Sequence, residues 1–235
     1  MPTPWRIPCS VAALATTLAS CFPALSEPIS APHLADILAL GENLVQSYVA
    51  WVVPIAGPLP APPILSVRNT PNLAYFDPRS NLIVVPCWPT LTDSQQAFFL
   101  SLTASAEEAA LLFGELFNWF LIAHEMTHWL QHALDLGGDP YTRERMANEC
   151  AVAFFMESEA AEERLVELER ILAYALDGLA DPVPPGTDSA AYFNLHYHDL
   201  AQDPAKYGHF QFRFITDAIA HRKSFRLVDL LSGQS

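Results

Sequence analysis

Residues 117–135 read FNWFLIAHEMTHWLQHALD, and they constrain the fold more than any other stretch. From Leu111 to Ala123 the chain is almost continuously apolar, carrying one acid, Glu115. That run is shorter than the roughly twenty residues of a membrane span, so it predicts a buried central helix. His124, Glu125 and His128 follow at once. Burying three such groups without partners costs several kcal/mol, so the fold has to supply something for them to bind. On a helix, residues four apart point the same way, and His124 and His128 can present two imidazoles to one metal ion. Glu125 sits beside the first of them, where it can take a proton from water polarised by the metal.

The flanking sequence sets that helix in a mixed fold. HLADILALGENLVQSYVAW, up to Trp51, has helical spacing of apolar residues, and the proline-rich VVPIAGPLPAPPI (52–64) reads as a connector. NLAYF (72–76) and LIVVP (82–86), joined by DPRSN, predict a β-hairpin. Residues 92–135 read as helix with a break near Thr103–Ser105 and a cap at Thr92 or Asp93. Asp139 and Pro140 form an N-cap and first-turn pair for one further helix, from Tyr141 to about Leu179. A loop and one or two more helices complete a single domain over residues 27–235. The predicted class is α+β, mainly α.

Composition narrows the partners. Hydrophobic residues make up 51% of the chain and charged ones 16%, which argues against disorder. With 26 acids against 12 bases, the surface repels phosphate backbones, so nucleic acid is excluded as the expected partner. Arg6 is the one charge before Glu27, and the apolar VAALATTLASCFPAL between them predicts an export signal over residues 1–26. ALS at 24–26 would leave Glu27 first. LASC at 18–21 instead resembles a lipobox, which would place a lipid anchor on Cys21. Either way the expected location is periplasmic or secreted, with no membrane span in the mature chain. Cleavage after Ser26 leaves Cys87 and Cys150, either as one disulfide or as two buried thiols.

A catalytic zinc needs a third protein ligand. The extension H-E-x-x-H-x-x-G-x-x-H is absent, because position 131 is Gln and position 134 is Leu. Downstream, Glu144, Ala147, Asn148 and Ala151 spell E-x-x-A-N-x-x-A. Over about residues 72–160 the chain thus resembles the gluzincins, zinc metallopeptidases whose third ligand is a glutamate on a second helix. The resemblance implies a zincin-like domain with one Zn2+ per chain, held by His124, His128 and Glu144. It makes Asn148 the partner of the His124 ring and Glu125 the general base for hydrolysis of a peptide or protein substrate. Glu149 also lies close, but falls about 140° from Glu144 around the helix. The resemblance further implies an oxyanion donor from the C-terminal part, where His196, Tyr197, His198, Tyr207 and His209 are the candidates. His132, rotated from His124, is expected at the rim. Cys87 is similar to the upstream cysteine ligand of peptide deformylase, but VVPCWP lacks that family's glycine- and leucine-bearing loop. The rival reading is a non-catalytic binding or inhibitory module that keeps the metal as a staple.

Overall fold

Helix α1 (Leu34–Ala56) opens the computed structural model, which describes residues 34–232. The export-signal readings, with Glu27 or Cys21 as first mature residue, lie outside the described residues. Helix α1 runs past Trp51 and through Pro54 into the segment expected to be connector. Pro54 sits in the last turn, where it removes the N–H that would bond the carbonyl four residues back, and the helix stops two residues later. Gly57, at φ 79°, then ends the helix with its N–H on the Val53 carbonyl (3.0 Å).

The connector delivers a strand that the sequence did not announce. Strand β1 (Ile64–Val67) pairs in parallel with β3 (Leu82–Val85), in register Ile64 to Leu82. Strand β2 (Tyr75–Asp77) pairs antiparallel with β3, Tyr75 opposite Val84, so the expected hairpin is present and gains a third strand. The order is β1-β3-β2. Central β3 buries Ile83, Val84 and Val85 completely, and β2 is an edge.

Helix α2 (Asp93–Ser101) starts at a capping box between Thr92 and Gln95. It is followed, across a 100° bend at the expected break, by α3 (Ala106–Glu115), capped by Ser105. Residues Leu116–Phe120 form a π-helical turn, and α4 (Leu121–Ala133) continues from it as the central helix. Asn118, fully buried in that turn, donates to the Pro86 carbonyl (2.8 Å) and ties the turn to the end of β3. Asp135, at φ 52°, closes α4, with the Leu136 N–H on the Gln131 carbonyl (2.9 Å).

Helix α5 (Pro140–Phe155) begins at Asp139, whose carboxylate accepts the Thr142 N–H (2.8 Å). The single helix expected from Tyr141 to Leu179 is in fact two, α5 and α6 (Glu159–Asp177). The reason is burial: residues 147–155 are buried on every face, whereas α6 is amphipathic, so the chain turns at residues 156–158. The remaining helices are α7 (Ser189–Leu200), α8 (Pro204–Ala220) and α9 (Leu227–Ser232).

The result is a mainly α fold with a small mixed sheet. Helix α4 lies in the centre, packed on α1 and α5. Trp119, Trp129, Tyr48, Phe154 and Phe155 are fully buried around it. A smaller aromatic cluster at Phe193, Phe210 and Phe214 joins α7 to α8. Glu115, the acid of the apolar run, pairs with buried Arg164 of α6 through two bonds (2.5 and 2.9 Å), and that guanidinium lies over Trp119 (4.2 Å). No single helix among the described residues is long and apolar enough to cross a membrane.

Candidate metal centre

Helix α4 turns His124 and His128 toward α5, whose first full turn carries Glu144. The His124 and His128 Nε2 atoms are 3.1 Å apart. Glu144 Oε2 lies 3.4 Å from the first, and Oε1 lies 3.7 Å from the second. Imidazole and carboxylate donors bound tetrahedrally at about 2.0–2.2 Å stand about 3.3–3.6 Å from one another. The observed separations of 3.1, 3.4 and 3.7 Å scatter around that spacing, so the donors are gathered closely enough to share one small divalent ion. His124, His128 and Glu144 could hold a metal ion.

Three carboxamides hold these donors. Asn148 Nδ2 donates to the Glu144 carbonyl (2.9 Å), which turns Oδ1 to the His124 ring (3.0 Å). Because Oδ1 can only accept, this contact is made by a ring protonated on Nδ1, which turns Nε2 toward Glu144. Gln131 repeats the device for the second ligand. Its Nε2 donates to the Arg143 carbonyl (3.0 Å) and its Oε1 meets His128 Nδ1 (2.9 Å). Each amide thus bridges a histidine of α4 to the backbone of α5, at adjacent carbonyls. Gln211, from α8, donates to Glu144 Oε2 (2.8 Å).

The electrostatics agree with paired donors. Burial alone would raise the Glu144 carboxyl, but His128 and His124 hold it well below the usual range. Burial likewise opposes charge on His128, yet Glu144 and then Glu125 raise its pKa to about 9.

Glu125 is buried beside the triad and is not one of its donors. Its Oε2 accepts the Phe76 N–H (2.8 Å), so the open edge of β2 fixes the carboxylate. Burial raises its pKa, partly opposed by the two histidines. His124, Glu125, His128 and Glu144 all line one open cleft of about 510 Å³. Its far walls come from residues 71–76, where Leu73 sits at φ 58°, and from Tyr197 and Tyr207.

No family model, curated protein or solved structure matches this chain. The functional reading therefore rests on the geometry.

Of the C-terminal candidates, Tyr207 and Tyr197 line the cleft, whereas His196, His198 and His209 do not. Helical phase accounts for this. His196 and His198 flank Tyr197, each about 100° away, and His209 lies about 200° from Tyr207. His196 instead lies against the Tyr192 ring in a tilted contact, at 4.5 Å, and His209 is buried 3.6 Å from Asp181. Glu149 pairs with Arg145 (3.4 Å), away from the triad. His132 lines the rim, near the Phe76 ring (6.2 Å). Cys87 and Cys150 are both buried thiols, not joined in a disulfide. Gln131, Gln211 and the Phe76 N–H were not foreseen as part of the site. Only Gln131 left a local trace, three residues after His128 on the same helix.

Proposed function

We propose that the chain is an exported, zinc-dependent peptidase of gluzincin type. The observation that carries the reading is the position of Glu125. A buried carboxylate stands beside a two-histidine, one-glutamate donor set, takes no part in it, and opens onto the same cleft. A structural metal site is closed, whereas a catalytic one keeps a position open to substrate. The mixed imidazole and carboxylate donor set is the chemistry that supports zinc in this reading.

Zinc bound there supplies Lewis acidity, which lowers the pKa of water to about 7 and polarises a peptide carbonyl. Glu125 takes the proton from the attacking water. The Phe76 N–H occupies Oε2, which leaves Oε1 for that transfer. Glu125 then returns the proton to the leaving amine. Burial, and then Glu144, hold the Tyr207 hydroxyl well above its ordinary pKa, so it stays protonated at neutral pH and can donate to the developing oxyanion. Asn148, Gln131 and Gln211 keep the donors from turning away.

Metal analysis of the purified protein with a peptide-library cleavage assay tests this. About one zinc per chain is expected, with cleavage abolished by a chelator and restored by zinc. Zinc-loaded protein that cleaves no peptide, or protein that takes up no zinc, would contradict it.

A further inference from the structure

The cleft is polarised along α4. Phe117, Leu121, Glu125, His128 and His132 line it at spacings of three and four residues, so the groove runs parallel to the helix axis. Its α4 N-terminal end is apolar, with Phe98, Phe117 and Leu121. Its other end holds Arg143, placed there because the Arg143 carbonyl accepts the Gln131 amide near the C-terminus of α4 (3.0 Å).

Arg143 is the one basic residue, histidines aside, among the residues lining the cleft, and the two acids there are Glu125 and Glu144. Some arginines of this acidic chain have carboxylate partners, among them Arg145 with Glu149 (3.4 Å), Arg164 with Glu115 and Arg222 with Glu162 (3.2 Å). Among the described residues, Arg143 has no carboxylate within ion-pair distance, a lack it shares with Arg68, Arg79 and Arg226. Of these four, Arg143 alone lines the cleft. Its exposed side chain is a planar fork suited to bidentate carboxylate binding, and histidines aside it is the one cationic residue lining the cleft.

We propose that Arg143 is a specificity-determining residue that pairs with a substrate carboxylate. This rests on the peptidase reading and gives it a substrate class. The cleft takes peptides that present a carboxylate at the α4 C-terminal end and a large apolar side chain at the other. An arginine side chain reaches roughly 6–7 Å, about two residues of extended peptide. The carboxylate therefore lies within about three residues of the scissile bond. A side-chain carboxylate and a C-terminal one share this chemistry.

The test uses four peptides with one phenylalanine-containing core, carrying Glu or Gln two residues from the cleaved bond and ending in a free or an amidated C-terminus. The ratios of kcat/KM, Glu over Gln and free over amidated, are measured for the wild type, Arg143→Gln and Arg143→Lys. One ratio is expected to be about tenfold or more in the wild type, which identifies the source of the carboxylate. It is expected to fall to about one in Arg143→Gln and to recover in part in Arg143→Lys. Binding of the same peptides to zinc-loaded Glu125→Gln protein, with and without Arg143→Gln, is read by fluorescence anisotropy. That comparison tests the pairing even if the wild type cleaves none of the four, an outcome that would count against the peptidase reading alone. Ratios near one in the wild type for both cleavage and binding, or a preference that survives in Arg143→Gln, would overturn the proposal.

Discussion

Asn148, Gln131 and Gln211 are neutral amides, each committed to a different donor of the triad. Loss of such a support typically weakens metal binding about 10–100-fold. Alanine at any of the three should therefore do so, measured by competition with a chromophoric chelator. Glu144→Ala should weaken it far more, and Glu149→Ala should leave it nearly unchanged. A reversed ranking of the two glutamates would remove Glu144 from the site. Protonation gives a second check. In the metal-free protein, His128 has its pKa raised from 6.5 to about 9, so its pairing with Glu144 contributes stability fully present below about pH 6.5 and lost as pH rises through 9. The Tm of metal-free protein should accordingly fall between pH 7 and 9, an effect His128→Ala should remove. Zinc uptake at pH 7 should release about one proton from this group, measurable by calorimetry in buffers of different ionisation heat. Much of this site was legible because its spacing is local: His124 and His128 are four apart, and Glu144 and Asn148 are four apart on the next helix. Gln211 was not, because it reaches Glu144 across 67 residues and no periodicity records that contact.

At the scale of elements, caps and turns carried the legible part. The cap at Thr92, Asp139 with Pro140, and the Asp-Pro turn before β3 act through neighbours in sequence. Strand β1 escaped because four residues after a proline run hold too little alternation, and its pairing with β3 is a tertiary choice. The break at residues 156–158 and the π-helical turn escaped for the same reason, since both answer to what surrounds the helix. The Glu115–Arg164 pair shows the consequence for energy. It fixes α6 to the end of α3, directly before the π-helical turn that leads into α4. Arg164→Ala would remove the guanidinium that neutralises a buried carboxylate, at a cost of about 3–5 kcal/mol, a fall in Tm on the order of 10 °C. Replacing both partners by Leu and Met should recover much of that loss, as thermal melts would show. A melt unchanged in Arg164→Ala would mean that the pair contributes nothing net.

For the whole molecule, the decisive contrast lies between a metal that folds the chain and a metal that works in it. The apolar core around α4 spans α1, the sheet and α5, α6, α8 and α9, and it does not depend on the triad. The amide bridges join α4 to α5 through protein atoms alone. Stripping zinc should therefore leave the far-UV circular dichroism intact and lower the Tm only as far as ligand linkage requires. A chain that unfolded on chelation would fit the metal-staple reading instead. The most direct measurement is Glu125→Gln, assayed together for zinc content and peptide cleavage. If Glu125 is the base, the variant keeps about one zinc per chain and loses cleavage by several orders of magnitude. Cleavage near the wild-type rate would contradict that role.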